Sequence, residues 1–308
     1  MSVASASAPL SHLSRYIYGT TRLGHADNPL ETRLAIARTA LATGAWFHTS
    51  DQYDNALDVL AQVFDEDRTR VPPMIFKAGG NDAAELRAKI TSQLERVGIA
   101  RMDVAQLCFG GPLGEELAAG GPIISDLHRL RDEGRVGRYL LEVFPWTSAA
   151  PLRALEAGHL DGLVDGMIFY LNPLQRFASN ALWDAIQAHD FPVVAMRTVC
   201  GAPVHRLRDV PGAAWTPYLQ ERATEVAPLF ERSGVSDWTE FCVRFALGFK
   251  TVAATVGSTS RADNLAAFVH AVSPAEIAPL PADIQADLTA LQRRWSDQVD
   301  IHAEPWSM

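Results

Sequence analysis

Short runs of apolar and β-branched residues alternate along the whole chain with longer stretches in which apolar positions recur every three or four residues. Most of the short runs are too apolar to be half-exposed strands, so they read as buried strands, and the longer stretches read as amphipathic helices packed on them. Eight strands are predicted: Tyr16 to Thr20, Ala45 to Thr49, Met74 to Lys77, Val104 to Phe109, Arg138 to Phe144, Gly166 to Leu171, Pro192 to Arg197 and Thr251 to Val256. Between the first two, Leu30, Leu34, Ala37 and Leu41 mark a helix over Glu31 to Thr43, and Gly44 stands where a C-terminal cap glycine belongs. Further helices are predicted over Asn55 to Phe64, Ala83 to Val97 with Gly98 behind it, Ile123 to Asp132, Ala149 to Ala157 and Ala178 to His189. Strand and helix in strict alternation imply parallel pairing, and eight such units imply an α/β (β/α)8 barrel.

Four more helices, over Tyr218 to Ser233, Trp238 to Leu247, Arg261 to Val272 and Ala282 to Gln298, exceed what a minimal barrel requires and should flank the last strands. Clusters of Gly and Pro at Gly110 to Pro112, Gly120 to Pro122 and Gly201 to Pro217 read as loops, the last a lid candidate. The chain has 308 residues, long for a domain but ordinary for one barrel, so a single domain over 1–308 is expected, with residues 1–12 as a loose terminus.

Hydrophobic residues make up 48% and charged residues 20%, a globular composition. The net charge of -9, with no cluster of Lys and Arg, gives a phosphate backbone nothing to bind, which excludes nucleic acid as the expected partner and leaves small molecules. No apolar stretch approaches the roughly 20 residues that cross a bilayer, and the first residues lack the basic start and apolar run of a secretory signal. Three cysteines, an odd number, point to reduced thiols and a cytoplasmic location.

Several segments carry a family likeness. Gly19-Thr20-Thr21-Arg22-Leu23-Gly24 resembles the opening turn of aldo-keto reductases. Phe47-His48-Thr49-Ser50-Asp51-Gln52-Tyr53 resembles their Phe-Asp-Thr-Ala-x-x-Tyr motif, and Ile75-Phe76-Lys77-Ala78-Gly79 their lysine-bearing strand. Asp103 to Phe109 resembles the segment ending in their histidine, Gly134 to Phe144 the one ending in Gly-Val-Ser-Asn, and Leu171-Asn172-Pro173-Leu174 their Tyr-Asn-Pro-Leu. The resemblance implies that Tyr53 gives a proton to a carbonyl oxygen as hydride arrives from NADP or NAD, with Lys77 lowering the pKa of the phenol.

The departures from that pattern are as informative. His48 stands in place of the aspartate that pairs with the lysine, so Lys77 loses a partner. Buried alone, its pKa should fall, which opens the possibility of a neutral, nucleophilic amine. Asp51 lies nearby but reads better as a cap for the next helix. Cys108 replaces the histidine that orients the substrate carbonyl; it is a weak donor and, beside His48, either an activated thiolate or an inert small hydrophobe. Glu142, Val143 and Ile168 replace the Ser, Asn and Gln that grip the nicotinamide amide. Three lost hydrogen bonds amount to roughly 2 to 4 kcal/mol, which puts cofactor binding in doubt. Glu142 itself reads first as reaching across the mouth to Lys77 and restoring an ion pair.

At the other end of the cofactor path, Gly257-Ser258-Thr259-Ser260-Arg261 precedes a helix, a place suited to a phosphate, with Arg261 as a substitute cation; N-capping by Ser258 or Ser260 is the competing reading, and Gly19 and Thr20 of the opening turn are further cofactor-binding candidates. Arg197 binds an anion or closes the rim. The resulting expectation is a diverged NAD(P)H-dependent reductase or dehydrogenase for a small carbonyl or alcohol. Its alternatives are a non-redox lyase, isomerase or dehydratase using Lys77, Glu142, His48 or Tyr53, and a binding protein without catalysis on the same fold.

Overall fold

The computed structural model describes residues 10–200, 216–273 and 278–297. Its strands are β1 (Tyr16–Gly19), β2 (Trp46–Thr49), β3 (Met74–Ala78), β4 (Met102–Leu107), β5 (Val136–Glu142), β6 (Gly166–Asn172), β7 (Gln175–Arg176), β8 (Val193–Met196) and β9 (Val252–Ser258). All eight strands predicted from the sequence are present, with ends displaced by no more than two residues. They run parallel in the order β1, β2, β3, β4, β5, β6, β8, β9, and β9 pairs back with β1, so the sheet closes into a (β/α)8 barrel. The additional strand, β7, makes a short antiparallel hairpin with the end of β6. Helices Trp238–Leu247 and Ile123–Asp132 match their predicted bounds, and the surplus helices do fall at the C-terminal end.

Each strand divides its side chains between two cores. Tyr18, Phe47, Phe76, Ala105, Leu141 and Phe169 face the surrounding helices, whereas Ile17, Ile75, Val104, Leu140, Ile168, Val194 and Ala254 fill the barrel interior. The alternation of a strand therefore operates even where both faces are buried. It has a consequence for the site: two residues further along each strand, the inward position lies at the C-terminal mouth, where barrel side chains converge.

The N-terminal mouth is plugged with apolar side chains. Leu10, 1% exposed, and Leu13 join the interior cluster, and a Cβ on Gly166 would stand 2.9 Å from Leu10. The expected loose terminus therefore does not extend to residue 12, because burying leucine favours an ordered chain once a barrel end must be filled. The Gly201 to Pro217 segment, the candidate lid, lies almost wholly outside the described residues. Between the two predicted glycine loops the chain forms a helix, Pro112–Ala118, with proline in its first turn. None of the described helices is long and apolar enough to cross a membrane.

Candidate functional site

Inward positions at the mouth bring together His48 from β2, Lys77 from β3, Gln106 from β4 and Glu142 from β5, all buried. Lys77 thus points into the barrel. Its Nζ donates to Glu142 Oε1 at 2.8 Å, and the two side chains are 5% and 1% exposed. Burial disfavours the ammonium, but Glu142, followed by Tyr53, Cys108 and Tyr170, outweighs that and holds Lys77 well above the usual lysine range. This overturns the expectation of a lowered pKa and a nucleophilic amine. The carboxylate missing from β2 is supplied from β5, so Lys77 stays charged and has no lone pair to offer. Glu142 is accordingly an ion-pair partner rather than a group free to hold a nicotinamide amide.

The exchange leaves His48 neutral. Burial, then the Lys77 charge, pushes its pKa down to about 4, and its Nε2 lies 2.6 Å from Gln106 Oε1, so the neutral ring donates there. Gln106 was not singled out from the sequence. The signal was available, since it sits two residues before Cys108 on the inward face of the same strand.

Tyr53 is delivered by a tight turn between β2 and helix Ala56–Glu66. Its N–H donates to the Ser50 carbonyl, and Asp54 behind it adopts a left-handed φ of 46°. Gly24 packs directly against that turn: a Cβ there would lie 2.0 Å from the Tyr53 carbonyl oxygen. The Tyr53 ring is 6.2 Å from that of His48. Burial raises the phenol, and although Lys77 pulls it down, the net result is a pKa pushed up to about 12. Lys77 moderates this rise without reversing it, so Tyr53 remains a protonated donor across the neutral range. Asp51 does not cap the helix, whose cap position is Asn55. Its backbone N–H donates to Gln93 Oε1 at 3.1 Å, and its carboxylate stands 3.7 Å from Lys89 Nζ. Gln93 Nε2 also donates to the Lys77 carbonyl at 2.8 Å, so this one buried amide joins the ends of β2 and β3.

Cys108 is half-buried beside Glu142. Burial, reinforced by that carboxylate, raises its thiol well above the usual cysteine range, which removes the reading as an activated thiolate. Among the described residues no three His, Cys, Asp or Glu side chains are placed to hold a metal ion.

The remaining predicted positions lie on the opposite side of the mouth. Thr20 is fully buried and donates to Thr49 Oγ1 at 2.8 Å, tying β1 to β2. Gly19 packs against Ser258, whose Oγ accepts from the Arg22 N–H at 3.2 Å. Gly257 is explained by packing, since a Cβ there would meet the Phe268 ring at 2.4 Å. The Thr259 carbonyl accepts from the Tyr18 hydroxyl, while its Oγ1 accepts from the Arg261 N–H. Neither Ser258 nor Ser260 caps the following helix, Ala262–Ala271; Arg261 occupies the cap position without a side-chain cap bond. Arg261 is instead paired with Asp263, and the Asp263 carboxyl, held down to about 2 by that guanidinium, also accepts the Asn264 N–H. Arg197 has φ of 50° and lays its guanidinium over the Tyr170 ring at 5.3 Å, a rim contact. Tyr170 in turn stacks on Phe177, and Phe177 neighbours Phe144 and Trp146, an aromatic wall not anticipated from the sequence.

On the β2 to β4 side, the loops form a half-open cleft of about 350 Å³ bordered by Lys77, Cys108, Asp51 and Lys89.

No protein-family model matches this chain, and no curated protein matches it. Solved structures do. An aldo-keto reductase from Bacillus halodurans, in its holo form, is 20% identical at a TM-score of 0.68, over 92% of this chain and 96% of that one. An aldo-keto reductase from Klebsiella pneumoniae in complex with NADPH is 17% identical at a TM-score of 0.66, over 91% and 92%. A Klebsiella pneumoniae aldo/keto reductase in complex with NADP and acetate is 18% identical at 0.64, again over 91% and 92%. The fold of this chain is the one those reductases have.

Proposed function

We propose that this barrel is an oxidoreductase of aldo-keto reductase type that acts on a small carbonyl compound or the corresponding alcohol, with Tyr53 as proton donor and Lys77 as the charge beside it. The observation that carries this reading is the convergence at one barrel mouth of the Tyr53 ring, 6.2 Å from His48, and the buried Lys77 amine that Glu142 Oε1 holds at 2.8 Å. As the carbonyl carbon is reduced, its oxygen gains negative charge. Tyr53 transfers its O–H proton there, the resulting phenolate is stabilised by Lys77, and solvent returns the proton.

Reduction of the carbonyl carbon also requires a hydride donor. In this family that donor is a nicotinamide nucleotide, and the residues here do not fit it in the family's manner. Glu142 is held by Lys77, Val143 is fully buried and carries no polar side-chain atom, and Ile168 belongs to the barrel interior. At the helix Ala262–Ala271, the Asp263 carboxylate already occupies the first turn, where a phosphate would meet like charge. No step is therefore routed through the nucleotide. This mismatch favours a second reading, in which Tyr53 donates its proton in an isomerisation or dehydration and no hydride is needed.

One experiment separates them. NADPH and NADH are each titrated by fluorescence, and their consumption is followed with a panel of small aldehydes and ketones. The oxidoreductase reading requires saturable binding and a turnover that Tyr53→Phe lowers by about a hundredfold to ten-thousandfold. Absence of binding by either nucleotide up to millimolar concentration contradicts it and leaves the non-redox reading.

A further inference from the structure

We infer that Gln93 is a positioning residue: its side-chain amide is inserted between the ends of β2 and β3 and sets the distance at which the Tyr53 turn stands from Lys77. The inference rests on the proposed reaction only for its effect on turnover.

The register of the two strands shows what the amide displaces. β2 and β3 run parallel with Phe47 opposite Met74, His48 opposite Ile75 and Thr49 opposite Phe76, and the Phe47 N–H donates to the Pro73 carbonyl at 3.1 Å. Such bonds recur at every second residue along a parallel pair. Two steps beyond Phe47, the Asp51 N–H falls opposite the Lys77 carbonyl. The two are joined through Gln93 instead: the Asp51 N–H donates to its Oε1 at 3.1 Å, and its Nε2 donates to the Lys77 carbonyl at 2.8 Å. One rung of the ladder is therefore a side-chain amide with a hydrogen bond at each end, where a single bond of about 2.9 Å would otherwise stand. The neighbouring strand pairs are closed directly at the same mouth. The Thr20 N–H donates to the His48 carbonyl at 2.9 Å, and the Cys108 N–H to the Ala78 carbonyl at 2.8 Å. The opening between β2 and β3 is thus a local feature rather than a general splaying of strand ends.

Gln93 is also a polar residue on an apolar face. Helix Ala83–Val97 buries Leu86, Ile90, Leu94 and Val97, and Gln93 lies among them, 1% exposed. A leucine there would bury without desolvating an amide, so the amide is explained by the two groups it joins. Those groups also fix its orientation, since the oxygen must meet the N–H and the nitrogen the carbonyl. Lys89, one turn earlier on the helix, stands 3.7 Å from the Asp51 carboxylate, a second hold on the same residue. From Asp51 the constraint passes to Tyr53 through a short turn, in which the Gln52 and Tyr53 N–H groups donate to the Ser50 hydroxyl and carbonyl at 3.1 and 3.3 Å. On the other strand it acts on Lys77 itself, through that residue's own carbonyl. A proton donor and the charge that stabilises its conjugate base work only at a set spacing, and a misplacement of about 1 Å costs roughly a hundredfold in rate.

The test compares the full chain with Gln93→Met, whose side chain keeps the length and has no N–H to donate. The inference predicts that a crystal structure of Gln93→Met shows the Asp51 N–H bonded directly to the Lys77 carbonyl. At neutral pH the 15Nζ resonance of Lys77 and the 13Cζ resonance of Tyr53 should both move, while 15Nζ of the exposed Lys250 stays in place. Turnover should fall in kcat by about tenfold to a hundredfold, with KM little changed. In the unaltered chain, the Gln93 Nε2 protons should exchange with solvent far more slowly than those of the exposed Gln52, a measurement that needs no variant to fold. The inference is overturned if the strand ends of Gln93→Met stay apart, if the two resonances stay in place, if kcat is unchanged, or if the Gln93 protons exchange as fast as those of Gln52. If the unaltered chain turns over no carbonyl compound, the proposed reaction fails, and the structure, the resonances and the exchange rates still decide the role of Gln93.

Discussion

Two ion pairs at the same end of the barrel have the same chemistry and opposite surroundings. Lys77 and Glu142 are 5% and 1% exposed, inside the barrel, while Arg261 and Asp263 are 64% and 62% exposed, at the start of a helix. The buried pair is shielded from water, so Glu142 holds Lys77 charged, while burial in the same layer leaves His48 neutral, Cys108 a thiol and Tyr53 a phenol. The exposed pair shifts only its own two members. It only satisfies its own helix end, and any charged visitor competes with it on equal terms. The difference locates where this mouth has a defined chemical state and where it is merely self-neutralised.

The comparison breaks most sharply at Glu142. Glu142→Gln leaves an ammonium buried without a counter-charge and should cost about 3 to 5 kcal/mol in denaturant unfolding. His48→Asp together with Glu142→Gln returns a carboxylate to the same layer from β2 and should recover a large part of that loss. Failure to recover any would mean that the layer tolerates a carboxylate only from β5.

The next effect is on acid stability. His48 has a folded pKa of about 4 against 6.5 for the free side chain, so as pH falls from 6.5 to 4 the unfolded chain takes up a proton that the folded one refuses. Stability is thus full above pH 6.5 and declines below it, by about 3 kcal/mol at pH 4. Denaturation midpoints of the unaltered chain and His48→Gln, compared across that window, should converge towards acid. Parallel curves would place the protonation elsewhere.

Gly24→Ala sharpens the account of how Tyr53 is held. Its methyl would fall 2.0 Å from a carbonyl oxygen, an overlap that only backbone movement relieves, so a loss of about 1 to 3 kcal/mol is expected, with a larger proportional loss of any Tyr53-dependent turnover. The smallest effect belongs to the exposed pair. Asp263→Asn should scarcely change stability, yet it removes the charge that a nucleotide phosphate would meet, so NADPH affinity should rise, and rise less at high salt.

The sequence made the barrel legible because periodicity is a local property: strands separated by amphipathic helices can be counted without knowing what touches what. Helix Pro112–Ala118 was hidden by its length and by Gly114 within it, and β7 by being two residues long. At the site, Tyr53, Lys77, His48, Cys108 and Glu142 were all visible as candidates, but their charge states were not. Glu142 is 65 residues from Lys77, and only closure of the sheet tells whether it or Asp51 supplies the carboxylate. The turn at Ser258 to Arg261 has residue types that suit a phosphate, and the pairing of Arg261 with Asp263 at the start of the next helix is a feature that only the folded geometry displays. The glycines at 110 and 111 read as loop formers, and their place at the cleft is a fact of tertiary structure alone.

The state of the amine at position 77 is the point on which these arguments converge, and nitrogen NMR of 15Nζ-labelled lysine, titrated from neutral pH upward, reads it directly. The account predicts a Lys77 resonance that remains that of an ammonium beyond the pH at which the surface lysines titrate, and that Glu142→Gln moves its midpoint downward. A Lys77 midpoint below those of the surface lysines in the unaltered chain would contradict it.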